Sequence, residues 1–262
     1  MDPRFSALSR VYGEASVSYL ATLKVGVIGI GGVGSWAAEA LARSGIGQLV
    51  LIDNDDVAPS NINRQVHALG STLDEPKVDV MAARIRDINP ACEVTAVDDF
   101  VVSNNLSTHL AQNFDYVIDA IDNVRFKADI IYWCKRNKVP VLTTGGAGGA
   151  TDPTQINVAD LTRTWNDPLA AKVRSRLRSQ YGWTKNPKRR FGVECVFSTE
   201  QPLYPQADGE IGHRKPGVAG VSLDCNRGYG SAVYVTACFG MVAASRVINQ
   251  SLKKQPEPAS AS

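Results

Sequence analysis

The sequence predicts an α/β fold in which helices cover both faces of a mainly parallel, doubly wound sheet. From Lys24 to Gly149, strand-like segments that are apolar throughout alternate with helix-like segments, as in parallel strands that helices bury on both faces. A glycine-rich turn joins the first strand to the next helix, and an acidic residue, Asp53, ends the second strand. Together these observations indicate a Rossmann-like fold.

The first two strands and the helix between them have clear local signals. Lys24–Ile30 is a β-branched run that ends in glycines, which predicts a buried strand. Ser35–Ser44 has Ala and Leu at helical spacing, and Gly45 follows as a helix-ending residue. Gln48–Asp53 is the next apolar run and is predicted as the second strand.

The same alternation continues to the end of the parallel part. Helix Lys77–Asn89 is predicted to end before Pro90, because proline cannot continue a helix. The elements predicted after it are strand Glu93–Val97, a weaker helix near Leu106–Gln112, strand Asp115–Ile118, helix Asn123–Asn137 and strand Val139–Thr143.

Beyond Gly149 the alternation fades, and we expect a single domain over residues 1–252. Residues 150–230 are richer in proline and polar residues, which predicts a crossover and substrate region of long connections and short strands. A C-terminal helix completes this extension. Residues 253–262 are predicted to form a disordered tail because they contain no large apolar side chain.

The longest apolar stretch covers residues 229–245. It is shorter than the roughly 20 residues that a membrane-spanning helix needs, and Gly230, Ser231 and Gly240 dilute it. The stretch therefore predicts a helix buried in the protein or at a subunit contact. A short or peripheral membrane segment stays an open alternative.

Charge and cysteine usage exclude several classes of protein. The 28 Lys and Arg residues nearly balance the 26 Asp and Glu residues, so no overall charge favours a nucleic-acid or membrane partner. The 44% apolar share excludes wholesale disorder. The five cysteines are scattered and include no C-x-x-C pair, which argues against a disulfide framework or a four-cysteine zinc site and predicts a cytoplasmic protein.

The sharpest motif is G-x-G-G-x-G at the junction of the first strand and its helix. Its glycines are Gly29, Gly31, Gly32 and Gly34, and they allow a tight turn, close approach of a phosphate and close helix–strand packing. Asp53 is placed to accept hydrogen bonds from ribose hydroxyls. Residues 24–149 are therefore the predicted nucleotide-binding core, for which NAD is the default ligand.

Polar residues that follow the glycine turn favour ATP over NAD. They include Arg64, Lys77 and Asp122, which are expected to meet because the carboxyl ends of adjacent parallel strands converge. The two cations can neutralise a triphosphate, and an Asp can hold Mg²⁺ through its oxygens. NAD, which transfers a hydride, does not need two cations and a metal-binding carboxylate in its site.

In combination, the motifs G-x-G-G-x-G, D-x-D, N-x-N-R-Q, P-K and D-x-x-D-N are specific. From about Arg4 to Gly149 the chain resembles the superfamily of ubiquitin-activating enzymes and the bacterial ThiF-like enzymes that adenylate sulfur carriers. The run at residues 143–149, the segment FGVECVFSTE at 191–200 and the Gly- and Ala-rich C-terminal helix resemble its tRNA threonylcarbamoyladenosine dehydratase branch.

The resemblance implies an ATP site, a reaction and partners. The residues that it implies for ATP binding are Gly29, Gly31, Gly32, Gly34, Asp53, Asp55, Asn63, Arg64, Gln65, Lys77, Asp122 and Asn123. Asp122 is the implied Mg²⁺-linked catalytic carboxylate beside Arg64 and Lys77. Arg10 is the candidate for an arginine that reaches the ATP across a homodimer.

The implied substrate is tRNA that bears threonylcarbamoyladenosine, whose threonyl carboxylate is adenylated before the ring closes. A monovalent cation and cysteine-desulfurase or sulfur-acceptor partners are further implications of the resemblance. Two alternatives stay open, namely an enzyme that adenylates a ubiquitin-like sulfur carrier and a non-catalytic sulfur-relay adaptor that uses Cys195. The absence of paired C-x-x-C motifs disfavours the carrier enzyme.

A basic run at residues 172–190 predicts contact with RNA. It contains eight Lys and Arg residues and no acidic residue, with Tyr181 and Trp183 among them, and cations with aromatic neighbours suit an RNA backbone and unstacked bases. The predicted RNA-binding residues are Arg174, Arg176, Arg178, Lys185, Lys188, Arg189 and Arg190. A solvated basic face is the alternative.

The remaining candidates are ordinary by their sequence context. Cys195 is expected in the crossover loop, where a structural thiol is favoured over a reactive one. The other cysteines read as packing residues. His67, His109 and His213 lack metal-ligand spacing, so surface or capping positions are expected for them.

Overall fold

A computed structural model describes residues 2–206, 208–214 and 230–256. Its centre is a seven-stranded sheet in the order β3-β2-β1-β4-β5-β7-β6. The strands are β1 Lys24–Ile28, β2 Gln48–Asp53, β3 Glu93–Asp98, β4 Tyr116–Asp119, β5 Val141–Thr144, β6 Ile156–Asp160 and β7 Glu194–Ser198. All pair in parallel except β6, which runs antiparallel to β7 at the edge. A separate hairpin pairs β8 Tyr204–Pro205 with β9 Ile211–Gly212.

Helices cover both faces of this sheet, as the sequence predicts. They are α1 Ser6–Tyr12, α2 Glu14–Leu20, α3 Gly34–Arg43, α4 Lys77–Ile88, α5 Leu106–Leu110, α6 Val124–Arg136, α7 Pro168–Tyr181 and α8 Val233–Leu252. One core lies under α2, α3, α4 and α8, and the other lies under α5, α6 and α7. Val27 belongs to the first core and its neighbour Ile28 to the second, because successive strand residues point to opposite faces.

The predicted elements of the first half are confirmed with boundary shifts of up to two residues. Strand β2 has the predicted bounds, Gln48–Asp53, whereas β1 ends at Ile28 rather than Ile30. It ends there because Gly29 takes a φ of +86°, outside the range of a strand. Gly45 follows α3 with a φ of +76°, which fits its predicted role of ending that helix.

The prediction for the region after Gly149 included short strands but missed a helix. The short strands β6 and β7 are present and extend the main sheet, and a 14-residue helix, α7, lies between them in the chain. The signals for α7 are local: Asp167 caps its first turn, Pro168 occupies the first turn, and Gly182 ends it with a φ of +66°. The many arginines of the segment obscured the apolar stripe of Val173 and Leu177.

The described part of the apolar C-terminal stretch forms a helix from Val233 onward, as predicted, but only one face of it is buried, and Tyr234 and Met241 are exposed. Gly240 of α8 packs on α3 so closely that a Cβ there would lie 2.5 Å from the Val33 carbonyl oxygen and 2.7 Å from the Ala37 nitrogen. In the described ranges no helix is long and apolar enough to cross a bilayer. Residue 229 of the stretch, residues 257–262 of the predicted tail and Cys225 lie outside the described residues.

Candidate ATP-binding cavity

The glycine turn is shaped by two close backbone approaches. A Cβ on Gly29 would lie 2.9 Å from the Cγ2 of Ile121, and a Cβ on Gly34 would lie 1.7 Å from the carbonyl oxygen of Gly29. The side of Gly31 is open by contrast, because its nearest neighbour is the Nε2 of Gln65 at 4.0 Å. The turn therefore leaves room beside Gly31 for an anion at the N-terminal end of α3.

A cavity of about 890 Å³ opens at the carboxyl ends of β1 and β4, where the direction of strand succession reverses. Such a switch point is where ligands bind in open α/β sheets. The cavity wall includes the following residues predicted for ATP: Gly29, Gly31, Gly32, Asp53, Asp55, Arg64, Gln65, Lys77, Asp122 and Asn123. The two cations and the carboxylate on which the ATP prediction depends thus face one space.

The two cations are held in different ways. The Nζ of Lys77, a buried side chain, donates to the Oδ2 of Asp55 at 2.7 Å. Arg64 uses Nη1 to donate to the Ser60 carbonyl oxygen at 2.7 Å and to the Oδ1 of Asn63 at 3.0 Å. Both head groups are therefore oriented before a ligand arrives, which lowers the entropic cost of binding.

Asp53 is bound to the backbone around it. Its Oδ2 accepts from the Ile30 nitrogen, and its Oδ1 accepts from the Asp55 nitrogen at 2.9 Å. Burial raises the pKa of Asp53, with nearby Lys77 opposing the shift. The carboxylate thereby ties the end of β2 to the glycine turn, and Asp53 also lines the cavity.

The segment that carries Asp122 is fixed by a residue that sequence reasoning missed. Lys127 of α6 is fully buried, and its Nζ donates to the carbonyl oxygens of Ile121 at 2.9 Å and Asp119 at 3.1 Å. It also lies 3.1 Å from the Oδ2 of Asp119, which accepts from the hydroxyl of Thr143. Only its position four residues after the helix-capping Asn123, on the inner face of an amphipathic helix, could have indicated this burial.

Some predicted residues have other structural partners. The Oδ1 of Asn123 caps α6 by accepting from two backbone nitrogens at 3.0 and 3.2 Å. Asn63 is absent from the cavity wall, and its Nδ2 donates to the Ser231 carbonyl oxygen. Gly34 serves helix–strand packing. Arg10 is exposed on α1 and lies outside the wall of the cavity in its own chain.

Most of the uncharged residues that line the cavity were not predicted from the sequence. Ile28, Ile52 and Val101 line the side towards β2 and β3 and make this part of the wall apolar. The loop 145–148 after β5 and the first turn of α7 line the side towards β5. The run at residues 143–149 was noted only as part of the family resemblance, and the other residues of this wall carry no motif. They come together only through the order of the strands.

Two groups of minor candidates were misplaced by the sequence analysis. Cys195 is fully buried as the second residue of β7 rather than in a loop, and burial raises the pKa of its thiol. His67 and His109 are buried rather than at the surface. Burial lowers the pKa of His67 to about 4, and the Nε2 of His109 lies 2.9 Å from the Oδ2 of Asp99.

The basic run at residues 172–190 contains arginines that bond to other parts of the protein and cations that are exposed to solvent. Arg174 donates to the Leu161 carbonyl oxygen and the Thr164 hydroxyl, while Arg178 donates to the Thr184 carbonyl oxygen and lies over the ring of Phe191. These arginines therefore have internal packing roles. The exposed cations of the run are Lys172, Lys185, Lys188, Arg189 and Arg190.

The fold and the cavity define a class of protein: a Rossmann-like nucleotide-binding protein whose binding site brings Arg64, Lys77 and Asp122 together in the manner of an adenylating enzyme. A family model described as the ThiF family matches residues 5–261. The chain belongs to the ThiF family.

Its relatives narrow the comparison. The chain is 53% identical over 252 residues to the tRNA threonylcarbamoyladenosine dehydratase of Escherichia coli strain K12, with 96% of this chain and 94% of that protein covered. It is 38% identical to the Bacillus subtilis strain 168 protein of the same name, with 95% of both covered. A crystal structure of the E. coli dehydratase in complex with ATP is similar with a TM-score of 0.85 and 50% identity, over 96% of this chain and 94% of that one.

Proposed function

We propose that the protein uses ATP to dehydrate threonylcarbamoyladenosine in tRNA, by adenylating the threonyl carboxylate and allowing the ring to close. The observation that carries this proposal is the convergence of Arg64, Lys77 and Asp122 on the cavity beside the glycine turn. Full-length similarity to dehydratases, one of them seen with ATP, supports the same function.

The cavity suits ATP from one end to the other. Ile52 and Val101 offer an apolar surface for the base, and Asp53 offers acceptors for ribose hydroxyls. The backbone N–H groups at Gly31 and Gly32 face the phosphates at the start of α3. Gln65 adds a buried amide oxygen without a hydrogen-bond partner, and such a group requires a donor from a ligand or water.

The residues present fit a magnesium ion that arrives with ATP. Among the described residues no cluster of three or more acidic, His or Cys side chains could enclose a metal ion. Asp122 nevertheless offers an exposed carboxylate in the cavity wall, and Mg²⁺ in nucleotide sites is held by one or two carboxylates together with phosphate oxygens. Asp122 would hold the ion, which would supply charge neutralisation at the phosphates.

The reaction needs positioning and charge stabilisation rather than a protein nucleophile. A threonyl carboxylate oxygen attacks the α-phosphorus of ATP, and pyrophosphate leaves. The carbamoyl group then attacks the activated carbonyl carbon and loses a proton, and AMP leaves with the carboxylate oxygen. Arg64 and Lys77 stabilise the negative charge that develops on the phosphates in the first step, and the attacking group of the second step is already part of the substrate.

The direct test incubates the protein with ATP, Mg²⁺ and tRNA that bears threonylcarbamoyladenosine, followed by mass spectrometry of the nucleosides. The expected product has lost one water per modified nucleoside, with one AMP released for each. Asp122→Asn should lower the rate by two orders of magnitude or more, whereas Asp87→Asn, at the exposed end of α4, should leave it unchanged. Uptake of NAD in place of ATP would contradict the proposal.

We propose further that the active form is a cytoplasmic homodimer in which Arg10 completes the cavity of its partner. This role fits an arginine that is exposed and distant from its own cavity. Arg10→Ala and Asp122→Asn should each be inactive alone. Mixing them should restore activity, because a mixed dimer has one site with an intact Asp122 and an intact Arg10. Absence of restoration in mixed dimers of demonstrated composition would remove this role.

RNA contact through the exposed part of the basic run is part of the same proposal. Lys185, Lys188, Arg189 and Arg190 are exposed beyond the end of α7, and a phosphate backbone attracts such a cluster. The affinity for tRNA should fall steeply with added salt. The proposed sulfur-transfer partners have no such support, because Cys195 is buried and its pKa is raised.

A further inference from the structure

One wall of the cavity carries none of the groups predicted for ATP. Gly146 and Gly148 after β5 and Leu169 and Lys172 of α7 form it, with the Cβ of Leu169 3.7 Å from the place that a Cβ on Gly146 would take. The ATP groups follow β2, β1 and β4, in that spatial order, and this wall follows β5. The wall therefore lies past Asp122, on the side from which a second substrate can approach.

An exposed tryptophan lies three residues before Pro168, which also lines the cavity. Trp165 is 49% exposed, and its ring meets the ring of Phe197 edge-on with centroids 4.9 Å apart. The Cβ of Phe197 in turn lies 3.3 Å from the place that a Cβ on Gly145 would take. The contact holds the indole beside the cavity while half of its surface faces solvent.

The turn that carries this tryptophan is rigidly held. Asn166 takes a φ of +53° and its Nδ2 donates to the Thr199 carbonyl oxygen at 2.8 Å. Asp167 accepts from the Ala170 nitrogen at 2.9 Å and the Gly146 nitrogen at 3.0 Å, which joins the turn to both α7 and the glycine loop. A preorganised aromatic surface loses little conformational freedom when a ligand stacks on it.

The chain segment that carries the tryptophan is basic. Between Leu161 and Val193, Asp167 is the only acidic residue, and it is buried. Arg163 and Lys172 are exposed, and Lys172 lines the cavity itself. An exposed ring flanked by cations is the combination that binds unstacked bases and phosphates of single-stranded RNA loops.

We propose that Trp165 and Lys172 form the contact for the anticodon loop, with a base next to the modified adenosine stacked on Trp165 and a backbone phosphate paired with Lys172. This inference rests on the proposed function, since it assigns the docking place of the same tRNA. It makes Trp165 and Lys172 determinants of tRNA binding and leaves ATP binding to the other walls.

The test measures binding of an anticodon stem-loop that bears threonylcarbamoyladenosine, by fluorescence anisotropy at several salt concentrations. Trp165→Ala should weaken binding about tenfold, within the range found for loss of one stacked base, and Trp165→Phe should restore most of it. Lys172→Gln should weaken binding and lower the slope of log K against log salt by about one. Lys138→Gln, an exposed lysine at the amino end of β5, is the matched control and should change neither.

ATP affinity and thermal stability distinguish this inference from a general defect. All variants should bind ATP as the wild type does, and Trp165→Phe controls for packing of Trp165 on Phe197. If the wild type dehydrates the modified tRNA but Trp165→Ala and Lys172→Gln bind the stem-loop as tightly as the wild type does, this inference is overturned and the proposed function stands. A wild type that binds ATP but does not dehydrate the modified tRNA would instead overturn the proposed function.

Discussion

Replacing Lys127 by Met should destabilise the protein strongly at neutral pH. Lys127 is 1% exposed and Asp119 is 0% exposed, so the substitution leaves a buried carboxylate without its cation. It also removes the donor from the Ile121 and Asp119 carbonyl oxygens. Breaking a buried ion pair on one side costs about 3–5 kcal/mol, which for a domain of this size lowers Tm by about 10 °C.

The stability that Lys127→Met loses should be largest at neutral and alkaline pH and smaller at acidic pH. Burial already raises the pKa of Asp119, with Lys127 opposing the shift, so loss of Lys127 raises that pKa further. A carboxyl whose pKa is raised in the folded state favours folding at low pH, and this contribution is lost as pH rises through the folded-state pKa. The difference in unfolding free energy between wild type and variant should therefore decrease as pH falls from 8 towards 3.8, the ordinary pKa of an Asp carboxyl.

The assay is urea denaturation of both proteins at a series of pH values. Equal m-values for the two proteins would show that both unfold in the same transition, so that their unfolding free energies can be compared. The double substitution Lys127→Met with Asp119→Asn should recover part of the loss, because no buried charge is left unpaired. A loss below about 1 kcal/mol at pH 7, far under the range for a broken buried pair, would refute the reasoning. An unfolding free-energy difference that increases as the pH is lowered would also refute the reasoning.

Three further outcomes follow from the same contacts. Gly34→Ala should abolish ATP binding or folding, since its Cβ would lie 1.7 Å from the Gly29 carbonyl oxygen; isothermal titration with ATP measures the effect. Lys77→Met should weaken ATP binding by roughly ten- to a hundredfold, the range for losing a hydrogen bond to a charged group, and equal affinity would exclude contact with the phosphates. Cys195→Ala should leave turnover unchanged, and in the native wild type Cys195 should resist iodoacetamide because it is fully buried, as mass spectrometry of labelled peptides would report.

Much of the nucleotide cavity was predictable because its signals are local. A strand that ends in G-x-G-G-x-G has few conformations open to it, and the φ of +86° at Gly29 is one that glycine adopts easily. The carboxyl ends of neighbouring parallel strands lie at one edge of the sheet, so residues after β2 and β4 were expected to meet. Lys77 and Asp122 line the same cavity for that reason, and their chemical roles stay predictions.

The errors arose where neighbours in space are distant in the chain. Arg174 was predicted for RNA, but its Nη1 donates to the Leu161 carbonyl oxygen and the Thr164 hydroxyl. Cys195 was expected in a loop, yet it pairs in register between β5 and β6. A run of charges or a single thiol has no period that reveals its partners, so these assignments could not be made from the chain alone.

The sequence by itself determined the α/β class, the nucleotide turn and the family, because hydrophobic period, glycine spacing and short motifs are encoded within a few residues of one another. The tertiary structure alone decided which polar groups are buried and paired. Lys127 has the sequence context of a surface lysine until α6 packs on the sheet, and the ring of Trp165 meets that of Phe197 only once β7 lies beside β5. The physical reason is that burial and pairing depend on which strands lie side by side, and that order is a property of the folded sheet.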